Sequence, residues 1–341
     1  MSKPKHILVI RLSAMGDVAM TVPVLKAFSL QHPEVKITVA SRPFFKPFFR
    51  DIQNLNFFEV DVNKRHKGLK GLYQFYKDTK ALGVTEVADF HNVLRSQVVR
   101  TFYKMSGYKV AATDKGRKDK KELTKLAPKT IQPVKTMFNR HVDTLQKLGY
   151  LVNLSNPVFA PKATLSQKLV ELTGEKDMKW IGIAPFAQYQ TKVYPKQLMQ
   201  QVIDELAKDK DKKVFLFGGG KTEIEALNAF KKDYKNVIVL AGKLNLNEEM
   251  DIISNLDVML SMDSGNAHIA ALLGVRVVTL WGATHPFAGF LPFNQSLNDA
   301  LVPDLQKYPF LPTSVYGNKI VPGYENVMES ISLEKILDTL I

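Results

Sequence analysis

The strongest constraint on the fold is the regular alternation of short apolar runs with longer segments of helical periodicity. The first unit begins with the β-branched run 7–10, typical of a strand buried on both faces, and continues into a helical pattern near 18–31. Alternation of this kind predicts βαβ units on a mainly parallel sheet, and therefore an α/β fold. Further strands are predicted at 35–40, 57–62, 86–90, 108–112, 180–184, 213–217, 236–240, 257–261 and 275–281. Further helices are predicted near 69–82, 94–105, 136–148, 195–208, 221–232, 247–255, 265–273 and 331–340.

The periodicity fades around 151–164, where Pro157 and Pro161 occur, and this segment is the best candidate for a linker. With 341 residues the chain is long enough for two domains. We expect an N-terminal domain over 1–155 and a second one over 165–325. Two similar α/β domains joined by a linker indicate a ligand held in the cleft between them.

Composition narrows the possible functions. The chain has no cysteine, which excludes disulfides and thiolate chemistry, and no apolar run of the ~18 residues that a spanning helix needs. The N-terminus lacks the features of a signal peptide, so we expect a cytoplasmic protein. A net charge of +14 implies an anionic partner: nucleic acid, phospholipid head groups or a phosphorylated substrate. Two basic loops, 63–68 and 114–129, follow predicted strands and could lie over the cleft or be merely solvated.

The first strand ends in a turn of small residues, 12–17, that closes with Asp17. In a parallel sheet the ligand crevice lies beyond the carboxyl ends of the strands, which places Asp17 at its mouth. The alternative is that Asp17 only caps the helix that begins there.

A second turn, Asp263–Ser264–Gly265, follows another predicted strand and precedes a helix carrying His268. Free backbone N–H groups at such a helix start can bind an anion, whereas the Asp263 carboxylate is better suited to a sugar hydroxyl or to N–H groups. Lys192 follows a third strand end and could neutralise a diphosphate. The alternatives are an ordinary capped turn and a surface lysine.

Three patterns imitate known sites. The run from Gly218 to Thr222 resembles the end of a phosphate-binding P-loop but lacks its first glycine, because Phe215 stands there. Asp209 and Asp211 imitate a metal-binding pair within a charged turn. The histidines and acids show no metal-ligand spacing, so we expect neither a metal nor a cofactor.

Taken together, several stretches resemble glycosyltransferase family 9, the lipopolysaccharide heptosyltransferases, over nearly the whole chain. They are ILVIRLSAMGDVAMTVPVLKAF, ADFHNVLRSQVV, RHVDTLQKLGY, AQYQTKVYP and MDSGNAHIAALLGVRVVTLWGATHP. The resemblance implies the GT-B architecture, with two facing Rossmann-like domains and an interdomain cleft. It also implies that the last segment, 326–341, crosses back to the N-terminal domain as a helix.

The resemblance also implies roles for individual residues. Asp17 matches the family's proposed catalytic base. The implied donor-binding residues are Gln188, Lys192, Asp263, Ser264, Gly265 and His268. The implied acceptor-binding residues are Arg65, Arg95, Arg140 and His141. The chain departs from the family pattern at Ala187–Gln188, at Lys221 (where Glu223 could substitute), at Asn266–Ala267 and at Ala283.

The expected activity is therefore inverting, metal-independent transfer of heptose from ADP-heptose to a phosphorylated, lipid-linked lipopolysaccharide core acceptor. The expected location is cytoplasmic, with peripheral contact on the anionic face of the inner membrane. Alternatives are a different nucleotide-sugar donor, and a sugar-nucleotide epimerase or hydrolase, which would turn over donor without acceptor. A nucleic-acid-binding protein is disfavoured because the basic loops lack interleaved aromatic residues.

Overall fold

The computed structural model describes residues 4–340, which form two compact units. Unit 1 comprises 1–117 and 135–158, and unit 2 comprises 118–134 and 159–341. Each unit holds one parallel sheet, so the predicted α/β fold class is confirmed. None of the described helices is long and apolar enough to cross a membrane.

The sheet of unit 1 has five parallel strands in the order β3-β2-β1-β4-β5. The strands are β1 His6–Ile10, β2 Lys36–Ser41, β3 Leu55–Glu59, β4 Glu86–Asp89 and β5 Lys109–Ala112. The helices are α1 Met15–Ala19, α2 Thr21–Gln31, α3 Gly68–Lys80, α4 Leu94–Met105, α5 Arg117–Leu123, which continues into unit 2, and α6 Met137–Leu148. Every residue of β1 is buried, as its continuous apolar run predicts for a central strand.

The sheet of unit 2 has six parallel strands in the order β11-β10-β9-β6-β7-β8. The strands are β6 Lys179–Ala184, β7 Lys212–Leu216, β8 Val237–Val239, β9 Val258–Met262, β10 Arg276–Leu280 and β11 Ala300–Leu301. The helices are α7 Gln167–Thr173, α8 Lys196–Lys208, α9 Lys221–Lys231, α10 Leu246–Ser254, α11 Gly265–Leu272 and α12 Leu333–Leu340. Short 3₁₀ turns lie at Pro43–Phe49, Gln190–Lys192, Pro286–Ala288, Leu297–Asp299 and Val327–Ser330.

In each sheet, strands are added first on one side of a central strand and then on the other. This change of direction marks where a ligand site is expected. In unit 1 the first strand pairs with β2 on one side and with β4 on the other. In unit 2, β6 pairs with β7 and with β9. Ligand crevices in open α/β sheets form at such switch points, beyond the carboxyl ends of the strands. Ligand-binding residues are therefore expected in the segments after β1 and β4 in unit 1, and in those after β6 and β9 in unit 2.

Two segments far from each other in the sequence belong to unit 2. Residues 118–134 are part of it, and the Lys129 ammonium donates to the carbonyls of Phe310 and Pro312. The final helix α12 also lies in unit 2 and packs against α8. Both placements depend on contacts between residues far apart in the sequence, which local periodicity does not reveal.

Candidate functional site

At the carboxyl end of β1, the buried Arg11 side chain holds Asp17. A guanidinium nitrogen of Arg11 lies 2.6 Å from Asp17 Oδ2. The same guanidinium donates to the carbonyls of Ser13 (2.9 Å) and Phe90 (2.8 Å), which fixes it between the ends of β1 and β4. Asp17 Oδ2 also accepts the Ala14 N–H at 3.3 Å, so Asp17 helps to cap α1 as well as pairing with Arg11. A charge-assisted pair with a fixed guanidinium gives the carboxylate a defined orientation.

His91 lies beside this pair, in the turn after β4. Its Nε2 is 3.4 Å from the Ser13 hydroxyl, and within the described residues its buried Nδ1 has no hydrogen-bond partner. Burial, and then the charges of Arg11 and Lys115, lower the pKa of His91 to about 3. The imidazole is therefore neutral at pH 7, so it can donate one hydrogen bond and accept another.

The turn that carries His91 is built on Asp89. The Asp89 carboxylate, at the end of β4, accepts the backbone N–H groups of His91 and Asn92 at 3.1 and 2.7 Å. Arg100 of α4 lies 3.2 Å from the same carboxylate. Complete burial raises the pKa of Asp89, and these donors oppose the rise. Asp89 is therefore a structural residue that fixes the segment opposite Asp17.

In unit 2, Lys192, Asp263 and Thr284 form one buried polar cluster at the carboxyl edge of the sheet. The Lys192 ammonium lies 3.0 Å from Asp263 Oδ2, and the Thr284 hydroxyl donates to the same oxygen at 2.8 Å. The sequence predicts a hydroxyl or N–H partner for Asp263; the partners observed are a cation and a hydroxyl of the protein itself. The pair is neutral overall, and the Thr284 hydroxyl adds a further hydrogen bond to the carboxylate.

Backbone contacts hold Lys192 in place. It ends the 3₁₀ turn Gln190–Lys192, and the carbonyl of Thr191 in that turn accepts the N–H of Ala283 at 3.0 Å. The Thr191 hydroxyl donates to the carbonyl of Gly317. A Cβ at Gly282 would clash with the Thr191 carbonyl, so only glycine permits this approach of the two backbones. The loops after β6 and β10 are thereby fastened together around Lys192.

Three of the remaining predicted donor residues lie at the start of α11. Ser264 is its N-cap, Gly265 is its first residue, and the buried His268 lies one turn further on. The Ser264 hydroxyl is 3.2 Å from that of Ser261. Gln188 is exposed in the loop after β6. Glu223, the suggested substitute for a ribose-binding residue, instead accepts the N–H of Gly219 at 2.8 Å.

A cavity of about 400 Å³ opens beside the Gln190–Lys192 turn and is lined by Gln190, Thr191, Lys196 and Asn326 among others. Neither Lys192 nor Asp263 lines it, so the polar cluster lies outside this cavity. Among residues 4–340, no group of three or more histidine, cysteine or acidic side chains could hold a metal ion.

The four predicted acceptor residues fall into two groups. Arg65 pairs with Asp78 through two hydrogen bonds of 2.8 and 2.9 Å but remains largely exposed, and Arg95 is exposed at the start of α4. Arg140 and His141 are buried instead. Arg140 bonds to Asp114 and the Lys135 carbonyl.

The His141 ring stacks on Phe90 with centroids 4.2 Å apart, and its Nδ1 lies 3.0 Å from the Thr113 hydroxyl. These contacts hold Arg140 and His141 inside unit 1, because their positions on α6 face the sheet.

Sequence reasoning did not single out Arg11, His91, Thr284 or His285 as site residues. His285 accepts the Phe287 N–H at 3.1 Å through Nδ1, and burial, with Lys129 nearby, lowers its pKa to about 4. Their positions in the sequence could have identified them, because each lies within a few residues of the carboxyl end of a central strand.

Each unit is an open parallel α/β sheet with fixed charged side chains at its switch point, where such sheets bind ligands. A family model described as "Glycosyltransferase family 9 (heptosyltransferase)" matches residues 79–315, more than half of the chain. The protein therefore belongs to glycosyltransferase family 9 and is a glycosyltransferase. Asp17 lies outside the matched range.

Individual relatives agree with this assignment. The chain is 25% identical over 298 residues to lipooligosaccharide heptosyltransferase 2 of Haemophilus influenzae, a match that covers 82% of this chain and 84% of the relative. A family 9 glycosyltransferase from Veillonella parvula shares the fold with a TM-score of 0.75 at 20% identity, covering 100% and 97% of the two chains. E. coli heptosyltransferase WaaC with ADP-2-deoxy-2-fluoro heptose superposes with a TM-score of 0.70 at 17% identity, covering 98% of each. The predicted GT-B fold is thus confirmed.

Proposed function

We propose that the protein transfers heptose from ADP-heptose to a lipopolysaccharide core acceptor, with inversion at the anomeric carbon and without an essential metal ion. The observation that carries the proposal is the buried Lys192–Asp263–Thr284 cluster at the switch point of unit 2. Support comes from relatives named as heptosyltransferases, including a structural neighbour solved with ADP-2-deoxy-2-fluoro heptose.

The donor role is proposed for unit 2. A diphosphate leaving group gains negative charge as the glycosidic bond breaks, and positive groups fixed in advance stabilise that charge most effectively. Lys192 would supply an ammonium group, and the N-terminus of α11, with Ser264 and Gly265, would supply backbone N–H groups. Asp263 and Thr284 would keep the ammonium in one position. Gln188 and His268 complete the proposed donor site.

The base role is proposed for Asp17 of unit 1. The acceptor hydroxyl oxygen would attack the anomeric carbon as the bond to the diphosphate breaks, and the hydroxyl proton would pass to the Asp17 carboxylate. One displacement of this kind inverts the configuration and releases ADP. Arg11 would act as a positioning residue, because its bonds to the Ser13 and Phe90 carbonyls fix the direction from which it holds Asp17.

A phosphorylated acceptor would meet the cations of unit 1. Arg65 and Arg95 are exposed and remain our proposed acceptor contacts. Because the acceptor is proposed to be lipid-linked, the enzyme would work on the anionic cytoplasmic face of the inner membrane.

The test is a transfer assay with the full chain, ADP-heptose and a heptose-free lipopolysaccharide core acceptor, with products read by mass spectrometry. We expect one heptose added to the acceptor, ADP released in equal amount, and the same rate in EDTA. Transfer only from a donor with another base or sugar would overturn the donor assignment. Equal release of ADP with and without acceptor would indicate a hydrolase instead.

A further inference from the structure

Helices α3 and α4 of unit 1 present large apolar side chains to solvent. Leu69 of α3 is 73% exposed, and Leu94 and Met105 of α4 are 78% and 79% exposed. Tyr73 is half exposed and its ring meets Phe102 of α4 edge-on at 5.3 Å between centroids, so the two helices lie side by side. We call this surface the α3–α4 face, defined by Leu69, Tyr73, Leu94, Phe102 and Met105.

The exposed side chains Leu69, Leu94 and Met105 are not needed to attach the helices to the sheet. Buried neighbours already do so, through Leu72, Phe75 and Tyr76 of α3 and Val99 and Tyr103 of α4, all within one cluster with β1 and β4. Leu69 and Tyr73 lie one helical turn apart, as do Leu94, Val98 and Phe102, so the apolar stripe of each helix extends beyond the side chains that the core covers. Large apolar side chains left in water beside the core indicate a surface that another phase or molecule covers.

The charge around the face has one sign. Lys70, Lys77, Arg95 and Lys104 are exposed on the two helices, and Asp78 is their single acidic residue. Hydrogen bonds from Arg65, together with those from Gln74 and His66, hold the pKa of Asp78 below its usual range, so its charge is already balanced inside unit 1. Cations on flexible stems around apolar side chains match an anionic, apolar surface.

We propose that the α3–α4 face docks the enzyme on an anionic lipid bilayer. The proposal rests on the proposed function in one respect, because a lipid-linked acceptor requires such docking. A protein partner is less well matched, since lysine is depleted in protein interfaces and three of the four cations here are lysines. A nucleic acid would leave Leu69, Leu94 and Met105 in water. The face also starts near the site: Leu94 begins the helix that follows His91, at the same sheet edge as Asp17.

This assignment differs from docking through the two basic loops. In the loop 114–129, Lys120 is buried with its ammonium 4.0 Å from the centre of the Phe290 ring. Lys129 donates to three carbonyls, and burial lowers its pKa to about 8. In the loop 63–68, Arg65 is paired with Asp78. Lys120 and Lys129 stabilise the fold, whereas the cations on α3 and α4 project around an apolar surface.

The test is co-sedimentation of the full chain with vesicles of phosphatidylcholine alone or mixed with phosphatidylglycerol. We expect binding to the anionic vesicles at least about tenfold tighter than to the neutral ones, and weakened by salt. The variant Leu69→Gln/Leu94→Gln/Met105→Gln keeps every cation and should lose about tenfold or more of this binding. The matched control Leu126→Gln/Leu151→Gln/Leu297→Gln alters three leucines that are exposed elsewhere and should stay within about twofold of wild type.

Equal binding to neutral and anionic vesicles, no vesicle binding by wild type, or equal losses in the two triple variants would overturn the proposal. Thermal melts first establish whether both variants are folded. A transfer assay separates this proposal from the proposed function: the face variant should lose transfer to a vesicle-embedded acceptor and keep transfer to a delipidated saccharide. If wild type transfers to neither acceptor, the proposed function fails while vesicle binding still decides the docking surface.

Discussion

Replacing Lys192 with methionine tests the buried cluster of unit 2 directly. The side chains of Lys192 and Asp263 are only 12% and 10% exposed, so Lys192→Met leaves a desolvated carboxylate with the Thr284 hydroxyl as its remaining donor in the cluster. Removing one partner of a buried pair costs about 3–5 kcal/mol. For a unit of this size, each kcal/mol lowers the melting temperature by about 2–4 °C. The unfolding transition of unit 2 should therefore fall by about 6–20 °C.

The measurement is differential scanning calorimetry of the full chain, with two companion variants. Lys196→Met removes an exposed lysine at the start of α8 and should change the melt by no more than about 1 °C. Lys192→Met/Asp263→Asn removes the stranded charge while leaving an amide oxygen for Thr284, and should recover most of the loss. A Lys192→Met protein that melts within about 1 °C of wild type would refute the reasoning, because Asp263 would then not depend on Lys192.

Three further predictions address backbone packing, pH and positioning. Gly282→Ala should lower the free energy of unfolding by about 1–3 kcal/mol in denaturant titrations and reduce transfer, because the added Cβ would clash with the Thr191 carbonyl. Gly219→Ala is the matched control, because a Cβ at Gly219 would meet open space. The pKa of His285 is about 4 in the fold and 6.5 in the unfolded chain, so the unfolded chain binds more protons between these pH values. The free energy of unfolding should therefore fall by up to about 3 kcal/mol as the pH drops from 6.5 to 4. Thermal melts of His285→Asn, which keeps an acceptor for the Phe287 N–H, should show a smaller fall over the same pH range. Arg11→Met should reduce the transfer rate by about a hundredfold by releasing Asp17, with Arg11→Lys partly active; equal rates for both variants and wild type would contradict a positioning role.

The sequence predicts the sheets well because strand and helix signals are local. The buried run of β1, the helix α2 and the turn before α11 all occur where the alternation places them. The topological rule for parallel sheets then brings Lys192 and Asp263 to one edge of unit 2, although 71 residues separate them.

Other features depend on contacts that local pattern does not contain. Asp263 pairs with both Lys192 and Thr284 only because the loops after β6, β9 and β10 come together. Arg140 and His141 are residue types that often bind anions at a surface, yet their positions on α6 point both side chains into the interior of unit 1. Residues 118–134 pack on unit 2 through backbone carbonyl contacts to Lys129, which composition cannot predict.

The central proposal is that a base in unit 1 acts on a sugar held by unit 2, and the Asp17→Asn variant tests it most directly. Steady-state heptose transfer should fall by at least about a hundredfold, the contribution expected of a general base. The dissociation constant for ADP, measured by calorimetry on the same preparation, should stay within about twofold of wild type. Transfer by Asp17→Asn at a rate close to that of wild type would contradict the account.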